Sequence, residues 1–279
     1  METSSSDTRI ARTLTGVFDV RGAHVLVTGA ASGIGFAFAK VMADCGARVT
    51  LTDSDGTRLD DVTRELAGRG LEVRAAALDV TDEAAVRRVV DDADATWGGL
   101  DVVFANAGIA IIPGFAIEGG QQLDTADTAA WEKVLAVNLS GVFFTMKAAA
   151  AVMKPRRSGR IVVTSSIAGL RGEPYVEYAY LASKAAVINM VRQAALELAP
   201  YDIRVNAIAP GPFVTRIATG ELPGEELRAS WGRIVALGRM GETEELKGAA
   251  LLLASAAASF ITGVVLPVDG GALVLTPGV

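Results

Sequence analysis

The sequence predicts an α/β fold built on one doubly wound parallel sheet of about seven strands, flanked by helices. Short apolar runs alternate with helix-like amphipathic segments along the 279 residues, and no linker-like stretch interrupts them. Polar residues or glycine follow most of the apolar runs, and ligands of such sheets bind outside the carboxyl ends of the strands. We therefore expect a single domain over residues 21–279, preceded by a polar, partly ordered arm over residues 1–20.

The periodicity of the apolar residues places the elements in chain order. Strands are predicted at residues 23–28, 47–52, 71–78, 100–105, 160–164, 203–208 and 264–268. Helices are predicted from Gly35 to residue 45, at 57–67, from a cap at 81–83 to 97, at 128–153, through Tyr180 to 198, and at 242–254. Residues 109–127 are expected to form a long glycine-containing connection, and residues 214–237 an irregular or helical segment.

The composition argues against several classes of function. A formal net charge of −6 and a sequence pI near 5.0 argue against nucleic acid or an anionic membrane as the main partner. Cys45 is the one cysteine, so an intramolecular disulfide is impossible and a reducing compartment, the cytoplasm, is expected. With His24 as the one histidine, zinc sites made of several His and Cys ligands are also excluded, and no metal is expected. A Ser-His-Asp triad would need His24, which opens an apolar run and is better interpreted as a strand-end residue.

Neither terminal region predicts membrane insertion. Residues 1–20 are polar and rich in serine and threonine, so we expect no signal peptide there. Residues 248–268 carry no charge and are long enough to span a bilayer. Serine, threonine, glycine and proline residues nevertheless divide this stretch into a helix end, a turn and a strand, and a soluble protein is expected.

A glycine-rich loop, TGAASGIG at residues 28–35, follows the first strand and opens the first helix. Its glycines let the backbone approach a phosphate, and the helix N-terminus offers N–H groups to a pyrophosphate. Asp53 ends the second strand, where an acid accepts hydrogen bonds from an adenosine ribose and repels a 2′-phosphate. Because Ser54 and residues 30–32 supply no Arg or Lys, NAD(H) is favoured over NADP(H). Asp79 ends the third strand and is suitably placed for the adenine amino group; either aspartate can alternatively cap the next helix.

Tyr180 and Lys184 lie four residues apart, which places a phenol and an ammonium on one face of a predicted helix. A nearby positive charge favours the phenolate, so Lys184 is expected to lower the pKa of Tyr180 and make it a usable acid and base. This pair alone is weak evidence, because an exposed Tyr–Lys pair on a helix is common.

Six motifs occur in the order found in the short-chain dehydrogenase/reductase family, and the chain resembles that family over about residues 20–275. They are Thr28-Gly29-x-x-x-Gly33-x-Gly35, Asn106-Ala107-Gly108, Asn138, Ser166, Tyr180-x-x-x-Lys184 and Pro210-Gly211. The resemblance implies a Rossmann-type fold and the NAD(P)-dependent oxidation of an alcohol or reduction of a ketone.

The resemblance also implies four catalytic residues. Tyr180 is similar to the acid/base that takes the hydroxyl proton, and Lys184 to the residue that lowers its pKa and binds the nicotinamide ribose. Ser166 is similar to the hydroxyl that positions the substrate oxygen, with Ser165 as the alternative. Asn138 is similar to the residue that holds a water on the proton path from Lys184, although its amide can also satisfy a helix distortion.

For the cofactor, the resemblance implies contacts along the strand ends, with Phe213 and Thr215 at the carboxamide end of the nicotinamide. Phe213 is less secure because the family more often has Ile or Val there. The full set is Gly29, Ser32, Gly33, Ile34, Gly35, Asp53, Asp79, Val80, Asn106, Ala107, Gly108, Tyr180, Lys184, Pro210, Gly211, Phe213 and Thr215.

The substrate is expected to be a medium-sized apolar or cyclic alcohol or ketone, covered by a substrate loop over about residues 212–240. No cationic cluster is available for a phosphate or coenzyme A tail. The candidate pocket residues are mostly apolar: Ile167, Leu170, Tyr175, Phe213, Ile217 and Trp231. Two departures from the family pattern border this pocket: a spacing between Ser166 and Tyr180 that is about one residue longer, and a longer segment at residues 109–128.

Two alternative functions are an NADP-dependent 3-oxoacyl-type ketoreductase and a catalytically silent dinucleotide-binding regulatory protein. Asp53 argues against the first, and the intact set of four catalytic residues argues against the second. The resemblance further implies a homotetramer, with contacts through the helices of Asn138 and Tyr180 and through the apolar C-terminus at residues 272–279.

Overall fold

The computed structural model describes residues 13, 16–111, 122–173, 176–217 and 221–275. Within these ranges it has one parallel sheet of seven strands in the order β3-β2-β1-β4-β5-β6-β7. The chain builds outward from β1 to β3 and then crosses back to place β4 on the other side of β1. The predicted doubly wound fold is confirmed, and its switch in strand order lies between β1 and β4.

The strands are close to their predicted positions. They are β1 His24–Thr28, β2 Arg48–Asp53, β3 Val73–Ala77, β4 Val102–Ala105, β5 Gly159–Thr164, β6 Ile203–Pro210 and β7 Val265–Val268. Strand β2 ends one residue later than predicted, at Asp53, and β6 two residues later, because Ala209 and Pro210 pair with Pro267 and Val268 of β7. A proline at the last residue of a strand leaves the pairing before it intact.

The helices lie on both faces of the sheet. They are α1 Gly33–Asp44, α2 Gly56–Gly68, α3 Glu83–Thr96, α4 Thr128–Leu135, α5 Val142–Arg156, α6 Tyr178–Leu198, α7 Glu225–Gly232 and α8 Lys247–Ala254. The single helix predicted at residues 128–153 is interrupted by a π-helical segment, Ala136–Gly141, between α4 and α5. The helix predicted at 242–254 begins with a 3₁₀ turn, Thr243–Leu246. The segment at 214–237 contains one short helix, α7.

A hydrophobic core lies on each face of the sheet. This explains why the strands are nearly continuous apolar runs in the sequence. Val25 and Val27 of β1 pack into one core with Phe38 of α1. Leu26, between them, points the other way and packs into the second core with Met153 of α5. Since successive side chains of a strand face opposite sides, burial on both faces favours apolar residues at most positions.

Two apolar stretches are accounted for by this packing. The stretch Thr128–Arg156 is apolar and long enough to cross a membrane, but 44% of its most apolar window is buried in the protein. It is a core helix of a soluble protein. Residues 248–268 divide, as predicted, into the end of α8, a 3₁₀ turn at Ala256–Ala258 and β7. The predicted arm over residues 1–20 lies largely outside the described residues, and its boundary stays a prediction.

Candidate active site

A cavity of about 510 Å³ lies at the carboxyl ends of the strands. Residues at or directly after the ends of the first six strands line it, as the sequence predicts for a doubly wound sheet. All the predicted site residues except Asn138 line this cavity: Gly29, Ser32, Gly33, Ile34, Gly35, Asp53, Asp79, Val80, Asn106, Ala107, Gly108, Ser166, Tyr180, Lys184, Pro210, Gly211, Phe213 and Thr215.

The glycine-rich loop packs against the end of β4 too closely for side chains. A Cβ atom at Gly29, whose φ is +67°, would lie 2.8 Å from the Cα atom of Ala107. A Cβ atom at Gly35 would overlap the carbonyl oxygen of Gly29. Asn106 holds the two segments together, since its Nδ2 donates to the Thr28 carbonyl oxygen at 3.0 Å. Gly29 and Gly35 both line the cavity, so the close packing leaves backbone rather than side chains at this part of its wall.

The first helix presents an open N-terminus to this cavity. The Ser32 side chain does not cap α1, and the first turn contains no acidic residue. The N–H groups of the first turn and the positive end of the helix dipole are therefore available to an anion. Together with the glycine-rich loop at residues 28–35, this helix end makes this part of the cavity suitable for the pyrophosphate of a dinucleotide.

Asp53 joins the glycine loop to the end of β2. Its Oδ2 accepts from the Ala31 N–H and its Oδ1 from the Asp55 N–H, both at 3.0 Å. The cap of α2 is Asp55, which accepts from the Arg58 N–H at 3.0 Å. A carboxylate has about four acceptor positions, so Asp53 keeps capacity for ribose hydroxyls. Arg58, on the first turn of α2, also lines this end of the cavity.

Asp79 forms a local turn and does not cap the next helix. Its Oδ1 accepts from the N–H and the Oγ1 of Thr81, at 2.9 and 2.8 Å. The cap of α3 is Asp82, which accepts from the Ala85 N–H at 3.0 Å. The predicted contact of Asp79 with adenine stays a prediction.

Tyr180 and Lys184 lie on α6, and the Lys184 Nζ atom is 5.4 Å from the centre of the Tyr180 ring. Lys184 is 2% exposed, and Nζ donates to the Thr164 carbonyl oxygen at 2.9 Å. Burial lowers the pKa of Lys184 to about 8.

The pKa of Tyr180 is also shifted, and it is raised to about 12, mainly by burial. The hydrogen bond with the Ser166 hydroxyl lowers this pKa, whereas the negative charge of Glu177 raises it. The expected lowering of this pKa by Lys184 is therefore wrong for the described structure. The sequence places the lysine beside the phenol but contains no measure of how dry the site is.

Ser166 and Ser165 have different environments. Ser166 Oγ accepts from the Ala168 N–H at 3.1 Å and lies next to Tyr180. Ser165 Oγ donates to the Lys184 carbonyl oxygen at 3.0 Å and is 2% exposed. Because the Ser165 hydroxyl is used to join β5 to α6, the structure favours Ser166 of the two.

Asn138 lies in the π-helical segment, is fully buried, and does not line the cavity. Its Oδ1 accepts from the Ile109 N–H and its Nδ2 donates to the Ile109 carbonyl oxygen, both at 2.8 Å. Its amide thus fixes the segment after β4 beside Gly108. A Cβ atom at Gly108 would lie 3.4 Å from Asn138 Oδ1 and 3.5 Å from Lys184 Nζ. These two bonds use one Nδ2 hydrogen and one Oδ1 lone pair, and the water-holding role stays a prediction.

Four of the six candidate pocket residues line the cavity, as the sequence predicts. Ile167, Phe213, Ile217 and Trp231 line the cavity. Leu170 does not; it is 38% exposed, because it follows the short 3₁₀ turn Ile167–Gly169 and leaves the cavity wall. Tyr175 lies outside the described residues. The unusual Phe213 is accommodated by Gly241, where a Cβ atom would lie 2.6 Å from the Phe213 ring.

Several residues that the sequence motifs do not identify also line the cavity, and the most informative are Glu173 and Glu177. Glu173 is ion-paired with Arg171 at 2.7 Å. Glu177 is three residues before Tyr180, and this spacing could have identified it, because residues three apart share a helix face.

The sequence and the fold are similar to those of known proteins. The sequence family described as “Enoyl-(Acyl carrier protein) reductase” matches residues 29–272. The chain is 43% identical to cis-4-hydroxycyclohexanecarboxylate dehydrogenase of Sinomonas cyclohexanicum over 247 residues, 88% of this chain and 94% of that protein. It is 38% identical to galactitol 2-dehydrogenase (L-tagatose-forming) of Cereibacter sphaeroides over 256 residues, 91% of this chain and 96% of that protein. The crystal structure of a short-chain type dehydrogenase/reductase from Mycobacterium marinum matches with a TM-score of 0.84 at 35% identity, covering 93% of this chain and 98% of that one.

Proposed function

The chain belongs to the short-chain dehydrogenase/reductase family, and we propose that it is an NAD(H)-dependent enzyme that interconverts a secondary alcohol and a ketone. One observation carries the proposal: Tyr180, Ser166 and Lys184 meet at one cavity with the glycine-rich loop and Asp53. The loop end suits a dinucleotide and the Tyr180 end suits proton transfer. Alcohol oxidation needs both, because a hydride and a proton must leave the substrate.

The chain's own residues handle the proton. During oxidation the Ser166 hydroxyl orients the substrate oxygen, and the Tyr180 oxygen accepts the hydroxyl proton. Lys184, whose Nζ atom is held by the Thr164 carbonyl oxygen, would hydrogen-bond the nicotinamide ribose. When bound, the nicotinamide accepts or returns the hydride, and this part of the chemistry belongs to the cofactor.

NAD(H) is proposed over NADP(H) because the Asp53 carboxylate ends β2 on the cavity wall, where an adenosine ribose would bind. Its negative charge would repel a 2′-phosphate and accept hydrogen bonds from ribose hydroxyls. The alternative is an NADP-dependent 3-oxoacyl-type ketoreductase. Two observations favour this alternative. Arg58 lines the cavity near Asp53 and could attract a 2′-phosphate. The description of the matching sequence family names an acyl carrier protein. The ratio of kcat/KM for the two cofactors separates the alternatives.

The proposed substrate is a medium-sized apolar or cyclic alcohol or ketone. The wall of the cavity that holds Tyr180 includes six large or medium apolar residues: Ile109, Val176, Ile217, Leu227, Trp231 and Ile234. The Sinomonas relative is named for a cyclic secondary alcohol that also carries a carboxylate, and its ring supports a cyclic substrate in this space.

A homotetramer in the cytoplasm is also proposed. Large apolar side chains are exposed near both expected contact regions, with Trp131 and Phe143 on the two sides of the Asn138 segment and Val274 near the C-terminus. Buried apolar contacts drive association of such surfaces. Light scattering coupled to gel filtration would measure the mass, and a monomer would contradict the assembly proposal.

The proposed function is tested by NADH fluorescence with a panel of secondary alcohols and ketones. We expect NADH to bind and to be formed during oxidation of at least one cyclic secondary alcohol. NADH binding without turnover of any panel member would instead support the catalytically silent regulatory protein. No binding of either reduced cofactor would contradict both functions.

A further inference from the structure

Glu177 is the residue directly before α6, one helical turn before Tyr180. It lines the same cavity as Tyr180, beside the apolar residues Val176 and Ile109. The Glu177 side chain does not cap α6. Its Oε1 accepts a long hydrogen bond, 3.4 Å, from the N–H of Ile111, and the carboxylate also interacts with its own backbone N–H.

The carboxyl group of Glu177 is poorly compensated compared with its neighbour. Glu173 also lines the cavity, but Arg171 neutralises it at 2.7 Å. Among the described residues, no Lys or Arg forms an ion pair with Glu177. Glu177 is partly buried, and carboxylates that lose part of their hydration are normally paired or hydrogen-bonded in proteins, because leaving them unpaired is costly.

The position of Glu177 also opposes the proposed chemistry. Burial raises the pKa of Glu177, and the negative charge of Glu177 contributes to the raised pKa of Tyr180. A charge that makes the proton acceptor harder to ionise has no benefit for the protein alone. Features that break a local rule are concentrated at functional sites, where a ligand supplies the missing partner.

We infer that Glu177 is a specificity-determining residue that accepts a hydrogen bond from a donor on the substrate, a hydroxyl or an ammonium group a few carbons from the reacting carbon. The inference rests on the proposed alcohol oxidation at Tyr180 and narrows its substrate class. The substrate has an apolar ring or chain and carries a second hydrogen-bond donor. A substrate with a carboxylate at that position is disfavoured, because it would face Glu177.

The wild-type protein is tested with substrates that share one ring: cyclohexanol, the cyclohexanediols, the aminocyclohexanols and the hydroxycyclohexanecarboxylates. The best diol or amino alcohol is expected to exceed cyclohexanol in kcat/KM by about tenfold or more, the effect of one hydrogen bond to a charged group. The hydroxy acids are expected to fall below cyclohexanol. The diol and amino alcohol arms distinguish a hydroxyl from an ammonium donor.

Two variants assign the preference to Glu177. In Glu177→Gln the amide oxygen still accepts a hydrogen bond, so a preference for a diol persists. Because the negative charge is lost, the preference for an amino alcohol over cyclohexanol falls about tenfold, and so does the discrimination against the hydroxy acids. In Glu177→Leu the preference for a second donor disappears. Glu65→Gln, on the exposed surface of α2, removes the same charge outside the cavity and should leave all the ratios unchanged.

The outcomes separate this inference from the proposed function. If wild-type protein binds NADH but oxidises no alcohol, the proposed function fails and the inference fails with it. If it oxidises the panel but both Glu177 variants keep the wild-type ratios, only the inference is overturned. NADH binding checks that each variant is folded. If both variants fail to bind NADH, the inference is judged from the kcat/KM values of the wild-type protein alone. Equal wild-type kcat/KM for cyclohexanol and for every diol and amino alcohol then overturns the inference.

Discussion

Replacing Asp53 by Asn should weaken the preference for NAD⁺ over NADP⁺. The Asp53 carboxylate accepts two backbone N–H groups at 3.0 Å, from Ala31 and Asp55, and keeps acceptor capacity for the ribose. In Asp53→Asn one oxygen becomes an NH₂ group and the charge is lost. Removing a charged acceptor from the ribose hydroxyls costs about 1.5–3 kcal/mol, which lowers kcat/KM for NAD⁺ by roughly 10- to 150-fold. The kcat/KM for NADP⁺ should rise, because the repulsion of its 2′-phosphate is removed.

The same substitution should also reduce stability. One of the two backbone N–H groups loses its acceptor, at a cost of about 1 kcal/mol and a Tm lowered by a few degrees. The assay measures kcat/KM for both oxidised cofactors with one alcohol, together with Tm. Asp60→Asn, on the exposed face of α2, is the matched control and should change neither value. A wild-type preference for NADP⁺, or an unchanged cofactor ratio in Asp53→Asn, would refute the reasoning.

Three further predictions follow from the packing and the charges of the site. Gly35→Ala forces a Cβ atom into the carbonyl oxygen of the loop, so we expect a loss of about 1–3 kcal/mol, a lower Tm and weaker NADH binding, whereas Gly68→Ala has open space and serves as the control. Burial lowers the pKa of Lys184 from 10.5 to about 8, so its unfavourable contribution to folding is complete below pH ~8 and disappears above pH ~10.5. Relative to wild type, Lys184→Met should therefore be more stable at pH ~7 than at pH ~10.5 by about 3 kcal/mol in denaturant melts, and an equal difference at both pH values would contradict this. Because the charge of Glu177 raises the pKa of Tyr180, Glu177→Gln should move the pH profile of kcat/KM for oxidation to lower pH, and a shift to higher pH would be inconsistent with this.

The sheet could be predicted because it is determined by local patterns. Strand β1 is apolar at almost every position because both of its faces are buried. In the sequence, a short apolar run before a glycine-rich loop therefore predicts a buried parallel strand. The cavity followed from topology, because residues at the ends of parallel strands meet at one edge. Asp53 and Ser166 were therefore identifiable before their surroundings were known.

What the sequence did not reveal depends on distant contacts. A helix distortion at Asn138 was predicted only as an alternative, because the π-helical segment has the composition of an ordinary helix and the partner of the Asn138 amide, Ile109, is 29 residues away. Leu170 was expected in the pocket, but a 3₁₀ turn carries it to the surface. The pKa of Tyr180 was predicted from the nearby lysine, whereas burial, which the sequence does not specify, has the larger effect.

The central claim is that Tyr180 exchanges the proton while a bound nicotinamide exchanges the hydride. It is tested most directly by measuring NADH formation and NADH binding in parallel for wild type and Tyr180→Phe with the best alcohol of the panel. We predict that kcat falls by about 10²- to 10⁴-fold, the contribution of a general acid/base, while NADH affinity is retained. Turnover by Tyr180→Phe at the wild-type rate would contradict the claim.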